Sequence, residues 1–377
     1  MRILLIHNQL WAHYKSKLFS EINLALKRTH PESAFLVVHI ALHESSRSEM
    51  KDDDTYFPYD YPYKVLFKRS LDQVRFLPRF IRLLKAFHEF KPTILNVTGY
   101  FDWAQILLMI YARSRGVKVV LSSESSAMDR DRSAMKETIK KWILSQADVF
   151  FCFGKSSAHY LLRLGIQRSR ITVRHAAVID EEIIRTNFLE AQSHMRKDKS
   201  NFVYVGRLAP EKNLELLINA FINVNNNQKE NGSPWGLIFV GEGPSRATLE
   251  KLASASDNIV FAGGHPWYKV PVWLAQSDVL VLPSKSEPWG LVVNEAMVCG
   301  MPVIVSNKCG CVKDIVRTGQ NGFTFDPAEQ AELEEALSFF VHNPSKITEM
   351  GNESKLIIAP FAAKEVAIEM MDCYRSL

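Results

Sequence analysis

At 377 residues the chain is long enough for two domains of ordinary size, each burying its own core. A hydrophobic content of 47% with 23% charged residues excludes a disordered or fibrous chain, and no apolar run reaches the ~20 residues that span a bilayer. The net charge of +5 is uneven: residues 1–185 carry 29 Lys and Arg against 19 Asp and Glu, and residues 186–377 carry 17 against 22. A basic first half favours an anionic partner such as phosphate, nucleic acid or a membrane surface.

Met1 to Leu10 reads as a first strand rather than a signal peptide, because it lacks a charged n-region, a long apolar stretch and a cleavage site. Five scattered cysteines (Cys152, Cys299, Cys309, Cys311, Cys373) read as reduced, buried thiols of a cytosolic protein. Cys309-Gly310-Cys311 offers too few ligands for a metal. Residues 1–6 form an apolar strand, followed by a loop from His7 to Tyr14 and a helix over Lys15–Arg28. Phe35–Ile40 is a second strand, and residues 43–64 are polar and irregular. Lys64–Lys91 is rich in Lys and Arg, with Pro78 near the start of its helix. Helical spacing puts Leu77, Phe80, Ile81, Leu84 and Phe87 on one face and Arg75, Arg79 and Arg82 on the other. That basic face is either solvated or drawn to an anionic membrane surface. Strands follow at Ile94–Val97, Val117–Leu121 and Val149–Phe153. Helices over Trp103–Arg115, Ala134–Leu144 and Gly154–Leu164 alternate with them, and Ile171–Val178 is a short strand. This alternation predicts a parallel doubly wound sheet. Residues 179–199 read as a charged linker.

The second half starts again with a strand, Phe202–Val205. The loop Gly206-Arg207-Leu208-Ala209-Pro210-Glu211-Lys212 and a helix from Leu214 follow. Leu237–Val240 is a strand closed by Gly241-Glu242-Gly243-Pro244. Ile259–Ala262 is another, closed by Gly263-Gly264-His265-Pro266. Asp278–Leu282 is a buried strand. After it come Ser286-Glu287-Pro288-Trp289-Gly290, an apolar helix Leu291–Cys299, Gly300, and a strand from Pro302 to Ser306. Two helices are expected to close the chain, interrupted by Pro360. Gly241-x-Gly243-x-x-Arg246 lacks the third small residue of a dinucleotide fingerprint, so a dehydrogenase is a poor reading.

Glu287 and Glu295 stand eight residues apart across a helix N-terminus. Carboxylates suit sugar and ribose hydroxyls, and a helix N-terminus suits phosphate. Glu295 could equally be a solvated helix residue, and Trp289 a core residue. Glu287, Pro288, Trp289, Gly290, Glu295, Ala296 and Gly300 together resemble the Glu-x7-Glu signature of retaining glycosyltransferases with the GT-B fold (glycosyltransferase family 4, glycosyl transferases group 1). Gly206-Arg207-x4-Lys212 is similar to the Gly-Arg-Leu-x-x-x-Lys segment of the same family.

The resemblance implies an α/β GT-B architecture of two Rossmann-like domains facing a cleft. The expected boundaries are an acceptor domain over 1–180, a nucleotide-sugar domain over 181–358, and a helix over 359–377 returning to the first domain. The donor site it implies comprises Gly206, Arg207, Lys212, Gly241, Gly264, His265, Glu287, Trp289, Gly290, Leu291, Val292 and Glu295. Arg207 and Lys212 would neutralise the diphosphate of a nucleotide-sugar such as a UDP-sugar. Glu287 would accept bonds from sugar hydroxyls, and Glu295 would hold the ribose. Transfer with retention of configuration follows from the family, with two-step displacement through a carboxylate as the rival mechanism.

Loops at predicted strand ends nominate His13, Tyr14, Tyr100 and Glu124 for a saccharide or lipid-linked acceptor, with Glu124 orienting its hydroxyl or capping a helix. Where relatives carry a Gly-Gly loop after the first strand, this chain has Asn8-Gln9-Leu10-Trp11. Asp52-Asp53-Asp54 and Asp129-Arg130-Asp131 match the Asp-x-Asp string of metal-dependent GT-A enzymes but follow no suitable strand. No metal requirement, no cofactor beyond the donor sugar and no nucleic-acid partner are expected. The implied setting is surface-polysaccharide synthesis in the cytoplasm or peripherally on the inner face of the membrane. A sugar-nucleotide-binding protein without turnover and a sugar-nucleotide epimerase are the alternatives.

Overall fold

The computed structural model describes residues 1–45, 59–123, 134–194, 199–227 and 235–377. The chain divides into two compact units, Met1–Asp180 with Phe361–Leu377, and Glu181–Pro360.

Unit one is built from β1 (Arg2–Gln9), α1 (His13–Thr29), β2 (Ala34–Ala41), β3 (Tyr63–Val65), α2 (Phe76–Phe90), β4 (Ile94–Thr98), α3 (Trp103–Ser114), β5 (Lys118–Ser123), α4 (Ala134–Ser145), β6 (Val149–Cys152), α5 (Lys155–Arg163) and β7 (Ile171–Val173). Its seven strands pair in parallel in the order β3-β2-β1-β4-β5-β6-β7. Ile3, Leu4, Leu5 and Ile6 of β1 are buried on both faces, as a central parallel strand requires. The chain winds outward from β1 to β3 and returns to β4, so the strand order reverses between β1 and β4. The short edge strand β3 was not legible in the sequence; Lys64 interrupts its apolar pattern.

Unit two continues with α6 (Glu181–His194), β8 (Asn201–Val205), α7 (Leu214–Asn227), β9 (Gly236–Val240), α8 (Arg246–Ala253), β10 (Ile259–Gly263), α9 (Val270–Ala275), β11 (Val279–Leu282), α10 (Leu291–Val298), β12 (Val303–Ser306), α11 (Val312–Ile315), β13 (Gly322–Phe325), α12 (Gln330–His342) and α13 (Lys346–Ile358). Six parallel strands pair in the order β10-β9-β8-β11-β12-β13, reversing between β8 and β11. Two doubly wound α/β sheets are thus the observed architecture.

Three sequence expectations are corrected. Glu181–His194, read as part of a charged linker, is a helix: α6 packs on α9 with Ile184 and Phe188, one turn apart, buried. Three helices, not two, close the chain. The last, α14 (Ala363–Ser376), packs on α1 and β7 of unit one. There the Tyr374 hydroxyl accepts from Asn96 Nδ2 at 2.7 Å, and its ring meets Phe151 edge-on.

The basic face of α2 is the third correction. Arg79 turns inward, ion-paired to Asp102 at 2.9 Å and donating to the Leu71 and Val74 carbonyls. The Arg82 guanidinium donates to the Leu66 carbonyl and lies 4.2 Å from the centre of the Phe67 ring. Leu77 and Ile81 instead face outward. Guanidinium groups fork into carbonyls that a strand end leaves over, and their long stems allow an inward turn.

Candidate active site

The reversal between β8 and β11 places the loops that follow these two strands side by side. Open α/β sheets bind ligands at such a point, beyond the carboxyl ends of the strands. The loop after β8 carries Gly206, Arg207 and Lys212, and the loop after β11 carries Glu287 and runs into α10. They are stitched together by Lys285 N–H donating to the Glu211 carbonyl at 2.8 Å. Lys212 Nζ donates to Glu287 Oε2, with both side chains about five-sixths buried. The two residues stand 75 positions apart in the chain and form an ion pair here. Arg207 is more open; its Nη2 meets Glu211 Oε1 at 2.5 Å and holds that carboxyl below its usual range.

Glycines set the shape of the rim. Gly206 has φ +150°, and a Cβ there would lie 2.8 Å from the Tyr204 hydroxyl. That buried hydroxyl donates to the Arg207 carbonyl and fixes the loop. Gly241 approaches still more closely: an added Cβ would fall 1.9 Å from the Gly206 carbonyl oxygen. Gly206 N–H donates to the Val240 carbonyl and Gly241 N–H to the Gly263 carbonyl, so the ends of β8, β9 and β10 form one hydrogen-bonded edge. His265 lies on that edge, donating Nε2–H to the Ala262 carbonyl at 3.1 Å, and Gly264 beside it is exposed.

Gly290 starts α10 with φ +96°, and no side chain caps the helix. The first-turn N–H groups of any helix lack intrahelical partners. At α10 they belong to the segment holding Leu291 and Val292, beside the Lys212–Glu287 pair. Glu295 lies in the second turn, where burial pushes its carboxyl up to about 8. A half-buried carboxyl that keeps its proton near neutral pH can donate as well as accept a hydrogen bond, which suits a diol partner.

Trp289 differs from expectation. Its ring is buried and its Nε1 donates to Asn294 Oδ1 at 2.9 Å, so it braces the loop rather than opening onto a ligand. The cysteine pair, set aside as a metal site, has another role. Glu287 N–H donates to the Lys308 carbonyl, Gly310 N–H to the Glu287 carbonyl, and Cys311 N–H to the Trp289 carbonyl. A Cβ on Gly310 would fall 1.9 Å from the Pro288 carbonyl oxygen. The Cys309–Cys311 turn is therefore the shelf beneath Glu287. The signal was the glycine between two apolar residues, which the sequence reading weighed only as a ligand spacing. Glu211 was missed as the partner of Arg207.

In unit one, the nominated residues that the structure describes lie on α1 and in the loop after β4. His13 opens α1, and Tyr14 follows it, half-buried, with Lys15 Nζ 5.7 Å from its ring centre. Tyr100 is buried and tilts against Phe101 at 4.4 Å, so its ring contributes to the core rather than to an open surface. Glu124 lies outside the described residues, as do Asp52-Asp53-Asp54 and Asp129-Arg130-Asp131. Among the described residues no cluster of metal-ligating side chains forms, and no helix is long and apolar enough to cross a membrane.

Comparison with known proteins agrees with this geometry. Residues 186–356 match the glycosyl transferases group 1 family, and residues 36–182 match glycosyltransferase family 4. The chain is 31% identical over 173 residues to a sulfoquinovosyl transferase of Arabidopsis thaliana, a match covering 44% of this chain and 32% of that enzyme. It thus spans about a third of that relative's length. It is 25% identical over 323 residues to D-inositol 3-phosphate glycosyltransferase 1 of Catenulispora acidiphila, covering 78% of this chain and 77% of that protein. The crystal structure of HepE from Anabaena in complex with UDP superimposes with a TM-score of 0.74 at 17% identity over the full length of both chains. With two doubly wound units of GT-B architecture and family matches over both, the chain belongs to the group 1, family 4 glycosyltransferases.

Proposed function

We propose that the protein transfers a hexose-type sugar from a nucleotide-diphosphate donor, UDP-linked in the first instance, to a hydroxyl of a saccharide or lipid-linked acceptor, with retention of configuration. The observation that carries this reading is the buried Lys212–Glu287 pair beside the uncapped start of α10. At rest each charge satisfies the other. On donor binding, Lys212 turns to the diphosphate with Arg207, which frees Glu287 to accept bonds from sugar hydroxyls. Glu295 takes the ribose hydroxyls, and the Leu291 and Val292 N–H groups meet phosphate.

The acceptor hydroxyl then attacks the anomeric carbon on the face that the diphosphate leaves. The C–O bond to phosphate breaks as the new glycosidic bond forms, and a phosphate oxygen receives the acceptor proton. Lys212, Arg207 and the α10 N-terminus stabilise the charge that develops on the departing diphosphate. Cationic side chains supply this stabilisation without a metal, so EDTA should leave the rate unchanged. A lipid-linked acceptor and a role in surface-glycan synthesis fit the basic character of unit one.

Transfer from a panel of UDP-, GDP- and ADP-sugars, with product configuration read by proton NMR, tests this. Arg207→Ala and Glu287→Ala should each lower kcat/KM by about 10²–10³-fold. Wild-type rates in both variants would sink the proposal, as would an inverted product or intact donor with every acceptor. Epimerised donor formed without an acceptor would favour an epimerase.

A further inference from the structure

The strand order of unit one reverses between β1 and β4, and sheets of this kind bind ligands where the loops after those strands part. Side chains hold the loop after β1 from both sides. On the β4 side, Gln105 Oε1 accepts from Thr98 N–H at 3.2 Å, so its Nε2 donates to Asn8 Oδ1 at 2.7 Å. Half-buried Asn8 thus keeps its Nδ2 hydrogens for a ligand oxygen. On the β2 side, two imidazoles converge on one carbonyl. His7 of β1 and His39 of β2 stand in register and are 4% and 1% exposed. Their Nδ1 atoms lie 2.8 Å and 3.2 Å from the Gln9 carbonyl oxygen. Gln9 anchors the loop to the chain beyond β2: its Oε1 accepts from Glu44 N–H at 2.9 Å, and the next two N–H groups, of Leu10 and Trp11, donate to the Ala41 and Leu42 carbonyls at 3.0 Å.

The hydrogen bonds assign the protons. A carbonyl only accepts, so both Nδ1 atoms carry hydrogen. On a neutral His39 ring, Nε2 is then an acceptor; the Tyr61 hydroxyl donates to it at 3.2 Å, and Ser16 Oγ donates to the Tyr61 oxygen at 3.2 Å. The rings around His39 are His7, Phe19 of α1, Tyr61, and Tyr63 of β3. Of these only His7 gains charge near neutrality, and its charge has the same sign. The other charged groups of α1 and of the segment before β3 are engaged elsewhere: Glu21 pairs with Lys17 at 3.2 Å, Lys15 Nζ lies over the Phe153 ring at 4.4 Å, and Asp60 is exposed. Burial, with the His7 ring beside it, holds the His39 imidazole well below its usual 6.5.

We propose that His7 and His39, both neutral, are positioning residues for the loop after β1: they hold the Gln9 carbonyl, and protonation of His39 releases the loop that carries Asn8. A charged His39 ring is hydrated only when the loop opens. Once open, the ring regains the ordinary imidazole value near 6.5, whereas closed it stays below. Opening therefore takes up a proton below about pH 6.5, and the open population rises about tenfold between pH 7.5 and 5.5. The ligand contact of Asn8 rests on the transferase reading. The opening does not, because it is measured without substrate.

Hydrogen exchange read by mass spectrometry on peptides covering residues 8–12, corrected for the intrinsic rate at each pH, provides the test. The wild-type loop should lose protection about tenfold between pH 7.5 and 5.5, while strand peptides of unit two keep theirs. His39→Asn retains a donor for the Gln9 carbonyl and takes up no proton. Its loop should match wild type at pH 7.5 and stay protected at pH 5.5. His39→Leu lacks the donor, so its loop should be less protected at both pH values. In transfer assays His39→Leu should raise KM severalfold with kcat little changed, and His39→Asn should restore KM. Wild-type protection indifferent to pH would overturn the proposal, and so would an acid loss that persists in His39→Asn or a His39→Leu loop as protected as wild type. If His39→Leu does not fold, wild type against His39→Asn decides. If no donor supports transfer, the transferase reading fails and the exchange comparison still decides this one.

Discussion

Glu295 has the most telling single-residue chemistry in unit two. Its carboxyl is raised by burial from the ordinary glutamate range near 4.3 to about 8. Between these values the folded chain keeps a proton that the unfolded chain loses. Stability therefore falls as pH rises through this window, at about 1.4 kcal/mol per pH unit at full difference. Glu295→Gln removes the ionisation, so the variant should unfold at a higher temperature than wild type at pH 8.5 and at the same temperature at pH 4. Scanning calorimetry across pH checks both. An unchanged slope would mean that the carboxyl is ionised at no cost. The same substitution should weaken binding of a UDP-sugar, so the site keeps a residue that costs stability.

At the scale of elements, the Glu287 loop is positioned by a turn that touches no proposed ligand. Gly310→Ala would put a methyl carbon 1.9 Å from the Pro288 carbonyl oxygen, and backbone cannot yield as a side-chain tip can. The expected outcome is a displaced Glu287, a loss of transfer of about tenfold or more, and an intact circular dichroism spectrum. Rates equal to wild type would show that the shelf does not position the acid. This support was illegible in the sequence, because hydrogen bonds between backbones leave no residue-type signature. Glu287, Lys212 and the helix between Gly290 and Gly300 were legible, because charge and glycine positions are written in residue types. The outward face of α2 was misread for a related reason. Periodicity separates apolar from basic faces, but it does not reveal that Leu71 and Val74 present carbonyls that draw Arg79 inward, or that the Leu66 carbonyl holds Arg82 along the surface. The 179–199 segment was misread because its charges masked the Ile184–Phe188 spacing.

The whole molecule joins a basic unit to an acidic one, and the division was visible in charge before any strand was assigned. The return of the chain was expected only by family resemblance, and its chemistry is specific. Tyr374 of α14 is 2% exposed and supplies the acceptor that Asn96, fully buried in β4, donates to. Deleting residues 361–377 should leave the Asn96 Nδ2 donor without its Tyr374 acceptor, while its Oδ1 still accepts from Ser122, at a cost of about 1–3 kcal/mol together with the packing lost with the Tyr374 ring. Limited proteolysis of the deletion variant should degrade unit one and spare unit two. Equal resistance of both would refute this. The same feature constrains biosynthesis. Unit two is an insertion within unit one, so the first 180 residues emerge from the ribosome long before their last helix exists. Unit two can mature during synthesis, whereas unit one waits for residues 361–377 to emerge, with the α1 and β7 surfaces uncovered until then. A nascent chain stalled before residue 361 would thus hold a finished half and a half exposed to chaperones.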